Sequence, residues 1–109
     1  MTSKLEAILS RYEKLNELVG DPEVIRNIDE WKKYTKELSD MQEVVEKYKE
    51  YKKAVSEKED AEKSLAAESD SDMRDFLNDE ILNLKEKIEN IASELKLLLI
   101  PKDENDDKN

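Results

Sequence analysis

One short stretch concentrates cations beside aromatic rings. In KYKEYKK, residues 47 to 53, Lys47, Lys49, Lys52 and Lys53 surround Tyr48 and Tyr51. Lysines interleaved with tyrosines can grip RNA by charge and base stacking. Tyr48 also falls on an apolar stripe of helical period, however, and so reads first as core with a wet hydroxyl edge. Trp31, the single tryptophan, likewise reads first as a core anchor near a bend and second as a hot spot for a partner. Trp31, Lys47, Lys49, Lys52 and Lys53 are therefore the candidate partner contacts.

Other chemistry is hard to build from this chain. It has no His and no Cys, the side chains most readily tuned as bases or nucleophiles near neutral pH. With one Gly, a glycine-rich phosphate loop is not available. The many carboxylates sit in faces of mixed sign, and a bundle-type dimetal site would pair inward Glu with Glu-x-x-His. DENDD, residues 103 to 107, has oxygen ligands but lacks the interleaved Gly and terminal Glu of a calcium loop, and reads as solvated linker. No catalytic residue, cofactor or metal is expected, and the chain is not expected to be an enzyme.

A net charge of −10 over 109 residues disfavours nonspecific contact with a phosphate backbone, so no direct nucleic-acid binding is expected. The longest apolar run is Leu97 to Ile100, far short of the roughly 20 residues that span a bilayer. Neither a membrane segment nor a secretory signal is apparent. Absence of Cys fits a reducing compartment, and a cytoplasmic location is expected.

What must position the candidates is helix. Charged residues make up 44% of the chain and prolines number two, a makeup that suits long amphipathic helices. Ser3 and Glu6 have capping-box spacing, and Leu5, Ile8, Leu9, Tyr12, Leu15, Leu18 and Val19 follow at helical intervals, which predicts a helix over about 4 to 19 stopped by Gly20. Asp21-Pro22-Glu23 starts a short turn over 22 to 27. Asp29 is the candidate cap of a long helix over about 30 to 67, striped by Trp31, Tyr34, Leu38, Met41, Val45 and Tyr48, then less cleanly by Tyr51, Val55, Ala61 and Leu65. ESDSDM, residues 68 to 73, predicts a turn with Ser71 or Asp72 as the next cap. The last helix carries the most regular seam, Leu77, Ile81, Leu84, Ile88, Ile91, Leu95 and Leu98. Two long helices joined by a short polar loop lie antiparallel. The fold class is therefore all-α, a long helical hairpin with an N-terminal helix packed on it as a three-helix bundle, over residues 1 to 100. Residues 101 to 109 are expected to form an outgoing, disordered linker.

Three stretches carry a family resemblance. RYEKLNELVGDPEVI, residues 11 to 25, YKEYKKA, residues 48 to 54, and LLLIPKDENDDKN, residues 97 to 109, together resemble the N-terminal domain of the bacterial peptide chain release factor 1 family, class I factors that end translation. Glu104 stands where relatives usually carry the second proline of a Pro-Lys-Asp-Pro joint. The resemblance implies part of a factor that recognises the stop codons UAA and UAG and promotes peptidyl-tRNA hydrolysis on the ribosome. It also denies this chain the working motifs. A Gly-Gly-Gln loop cannot exist where Gly20 stands alone, and no Pro-x-Thr follows Pro22 or Pro101. The resemblance further implies a non-catalytic arm whose partners are a stalk-base protein of the large ribosomal subunit and the recycling GTPase release factor. Two other readings compete with it: a free-standing antiparallel coiled-coil adaptor that dimerises through a leftover stripe, and an RNA-binding module centred on Lys47 to Lys53.

Overall fold

Asp21 and Pro22 impose the first break in the chain. In a computed structural model that describes residues 1 to 101, α1 spans Thr2–Val19, α2 Pro22–Arg26, α3 Ile28–Ala67 and α4 Ser71–Leu98. Among the described residues there is no strand, and the all-α reading holds. Two compact units divide within α3, Met1–Glu46 and the part that begins at Lys47.

The first unit holds α1, α2 and the opening turns of α3. The expected capping box at Ser3 is replaced by a start at Thr2 with Met1 as the cap residue and no side-chain cap bond. Gly20 ends α1 with φ −96° and ψ −5°, so the stop does not use the left-handed conformation that favours glycine. Asp21 supplies it instead. As the residue before a proline it is extended, φ −80° and ψ 123°, and its carboxylate accepts the Glu23 N–H at 2.9 Å, with Pro22 in the first helical position.

The next start differs from expectation. Asn27, not Asp29, caps α3: its Oδ1 accepts the Glu30 N–H at 3.3 Å and its Nδ2 donates to Glu30 Oε2 at 3.1 Å. Glu30 thus bonds the side chain of its cap and not the backbone, because the Asn27 N–H donates to Val24 O at 2.9 Å. α1 then lies against the first turns of α3 in the opposite direction, because Arg11 meets Glu37 while the later Val19 meets the earlier Trp31. Leu5, Leu15, Val24 and Val45 are buried, Leu15 with no exposure at all. Ile25 and Ile28 are 50% and 54% exposed, so of the three neighbouring apolar residues only Val24 enters the core.

In the second unit α3 and α4 form the expected antiparallel hairpin. Lys47 reaches Glu94, and at the opposite end Arg74 reaches back to Leu65. Asp70 caps α4, accepting the Met73 N–H at 3.0 Å, one residue before the expected Ser71 and two before the alternative, Asp72. Arg74 Nη1 donates to the carbonyls of Leu65 at 2.9 Å and Glu68 at 2.8 Å, adding to the Glu68 N–H that Leu65 O accepts at 3.3 Å at the end of α3. Ile81, Leu84, Ile91 and Leu95 are buried, as are Tyr48, Ala54 and Ala61 of α3. At the far end Leu99 closes α4 through Leu95 O at 3.0 Å, and Leu97 and Ile100 remain 68% and 62% exposed. The expected linker lies, after Pro101, outside the described residues.

Candidate partner-binding surface

The four lysines of 47 to 53 have different fates. Helical spacing of three and one puts Lys49, Lys52 and Lys53 on one outward face of α3, and all three are exposed. Lys47 turns inward along the hairpin, its ammonium 2.7 Å from Glu94 and 3.1 Å from Glu50. Those two carboxylates, Glu94 first, hold the Lys47 pKa above its ordinary value. Lys52 places its ammonium 5.3 Å over the ring of Tyr48, a cation–π contact.

The tyrosines do not offer a stacking platform. Tyr48 is 3% exposed, and Tyr51, half-buried, stacks on it with ring centroids 6.2 Å apart. What faces water on this stretch is therefore lysine charge on aliphatic stems, with the Glu50 carboxylate among it.

Trp31 belongs to the first unit and serves its packing. The ring is half-buried, and the indole N–H donates to Val19 O at 3.1 Å, satisfying one of the last carbonyls of α1. Beside it Arg11 clamps α3 with two bonds to Glu37, Nε at 2.6 Å and Nη2 at 3.0 Å, while its guanidinium lies 6.0 Å over the Tyr34 ring. This bond holds the Glu37 carboxyl below its ordinary pKa and raises that of Arg11. Tyr34 donates its hydroxyl to Glu30 Oε1 at 3.1 Å, which raises the phenol's pKa. Nothing in the spacing of Arg11 and Glu37, 26 residues apart, marks them as partners.

Among the described residues no group of His, Cys, Asp or Glu could hold a metal ion, and no helix is long and apolar enough to cross a membrane. The acidic run at 103 to 107 lies outside the described residues.

The PCRF domain profile matches residues 8–109. Peptide chain release factor 1 of Bacillus licheniformis is 50% identical over all 109 residues, which cover 100% of this chain and 31% of that protein. The factors of the same name from Bacillus subtilis strain 168 and Bacillus mycoides strain KBAB4 are each 46% identical with the same coverage. The chain thus spans less than a third of the length of these relatives. No solved structure matches. A profile that covers nearly every residue, supported by alignment of this whole chain to part of proteins of one name, shows that this chain belongs to the PCRF domain family.

Proposed function

We propose that the chain is the non-catalytic helical arm of a peptide chain release factor. Such a factor recognises UAA and UAG and promotes peptidyl-tRNA hydrolysis on the ribosome, in the cytoplasm. The supporting observation is the 50% identity over every residue to a protein named peptide chain release factor 1. With Gly20 as its single glycine the chain cannot hold a Gly-Gly-Gln loop, so in this reading its contribution is contact rather than bond-breaking. Its partners in this reading are a stalk-base protein of the large subunit and the recycling GTPase factor. The contact residues are Lys49, Lys52 and Lys53, which present charge outward, whereas Trp31 and Lys47 hold the arm's own helices together.

A graft tests the reading. Residues 1 to 109 replace the matching segment of the Bacillus subtilis factor, and release of formylmethionine is measured on ribosomes programmed with UAA or UAG. The graft is expected to release within about tenfold of the parent, and the isolated chain to release nothing. A graft that folds, by circular dichroism, yet fails at both codons overturns the proposal. Reversing Lys49, Lys52 and Lys53 to Glu should weaken ribosome binding of the graft and leave its helicity intact; unchanged binding removes those residues from the contact.

A further inference from the structure

Phe76 is the single phenylalanine of the chain, and it stands 60% exposed on α4, with Met73, 44% exposed, one turn before it. Residues three and four apart share a helix face, so carboxylates flank the ring as well, Asp72 on one side and Asp79 and Glu80 on the other. Asp72 and Asp79 are exposed and Glu80 is half-buried. At a rise of 1.5 Å per residue, Asp72 and Glu80 each stand about 6 Å from Phe76 along the axis. Among the described residues no basic side chain pairs with any of the three. Arg74, two residues before Phe76, lies on another side of α4, where its Nη1 donates to the carbonyls of Leu65 and Glu68. The next cation on the Phe76 face is Lys87, eleven residues on and about 16 Å away.

The carboxylates alone would be solvated surface. An aromatic ring held in water between them is a more specific feature, because a guanidinium can lie flat on such a ring while its N–H groups donate to carboxylates at the ring's edge. We infer that this face of α4 docks a basic segment of a partner protein, one that lays an arginine on Phe76 and sets further cations against Asp72 on one side and Asp79 and Glu80 on the other. The roughly half positive charge at the N-terminus of α4 offsets part of Asp72 but fades within the first turn, so Asp75, Asp79 and Glu80 keep the face negative. That charge turns away nucleic acid and anionic lipid, and two-fold pairing of the face with its own copy would set like charges against each other. The contact is small, so it belongs with weak, transient interfaces. It stands on the second unit alone and does not depend on the release-factor reading.

The probe is a capped, alanine-rich helical peptide of about four turns, with three arginines at intervals of four residues. It is titrated into the isotopically labelled 109-residue chain. Saturable amide shifts over residues 72 to 80 are expected, together with a shift of the Phe76 ring resonances, and none of these when glutamines replace the arginines. Lysines in place of the arginines keep the charge and should bind about threefold more weakly. Phe76→Ala leaves every charge in place, and the spectrum of the free variant reports its fold; it should weaken the arginine peptide about threefold and erase its advantage over the lysine peptide. Asp79→Lys with Glu80→Lys should weaken both peptides more than about tenfold. The inference is overturned by shifts centred on other residues, by equal affinity of parent and Phe76→Ala, by equal affinity of the two basic peptides, or by an oligothymidylate that perturbs the same amides. Self-association in sedimentation that Phe76→Ala abolishes would give the face to a second copy of the chain and also overturns it.

Discussion

Replacing Trp31 with Phe removes one hydrogen bond and keeps most of the ring. The indole N–H donates to Val19 O at 3.1 Å from a half-buried position. A neutral hydrogen bond of this kind contributes about 1 kcal/mol net, and the orphaned carbonyl here can recover part of that from water. The smaller ring also gives up some apolar burial, at ~25 cal/mol per Å². The sum is about 1 to 1.5 kcal/mol, or roughly 5 to 8 °C in melting temperature for a domain of this size. Trp31→Ala removes the ring as well and should cost about 3 kcal/mol, the low end for a large-to-small change because the site is only half covered. Thermal melts by circular dichroism give both values, since the single tryptophan cannot serve as its own reporter once replaced. If Trp31→Phe melts within about 1 °C of the parent, the bond to Val19 does not fasten α1. If it is as damaging as Trp31→Ala, the packing of the ring has been misjudged.

Four further outcomes follow from the same structure. Glu37→Gln should change how stability depends on acid: the Arg11 bond lowers the folded pKa of Glu37 from its ordinary 4.5, so its contribution is full above that value and lost as pH falls through the lower folded one. The melting difference between parent and variant should therefore be largest near neutral pH and close at the acid end. Gly20→Ala should stabilise by about 0.4 to 1 kcal/mol, because Gly20 has negative φ and an added Cβ would meet Glu17 O at an ordinary 3.6 Å; a drop in melting temperature would contradict this. Asn27→Ala should cost about 1 kcal/mol in urea unfolding through loss of the cap on α3. Leu84→Asp, at a site 6% exposed, should cost more than about 3 kcal/mol and collapse the hairpin's helicity, whereas Glu86→Gln on the exposed face should be silent within about 0.5 kcal/mol.

The residues differ in how openly they announced their places. The seam of α4 was readable because its apolar steps of four and three never fail: Ile81, Leu84, Ile91 and Leu95 are buried, with Ile88 half-buried between them. The later seam of α3 was only partly so: Ala61 stood on the expected stripe and is 8% exposed, whereas Ala54, 1% exposed, was passed over for the larger Val55, which is half-buried. Caps were found to within a residue or two. Asp70, Ser71 and Asp72 all have capping chemistry, and the choice among them falls to the Met73 N–H that only Asp70 engages. Asn27 was passed over for Asp29 although Asn-x-x-Glu has capping-box spacing. The candidate lysines were visible as a group, but their division was not. Lys47 is turned inward by Glu94, 47 residues away, and no local rule predicts that bond.

Ala54 and Ala61 carry a consequence for how this sequence can drift. They lie seven residues apart, two helical turns on the same side of α3, and their methyl groups are already enclosed. Trimming either to Gly removes little volume and acts mainly on helix propensity, at about 1 kcal/mol. Enlarging either to Leu adds three carbons where the interior is closed, and overpacking of that kind costs about 1 to 3 kcal/mol. The stretch of α3 that looks least oily is thus the one where substitution has least room. Homologues should show more freedom among its lysines than at these two alanines.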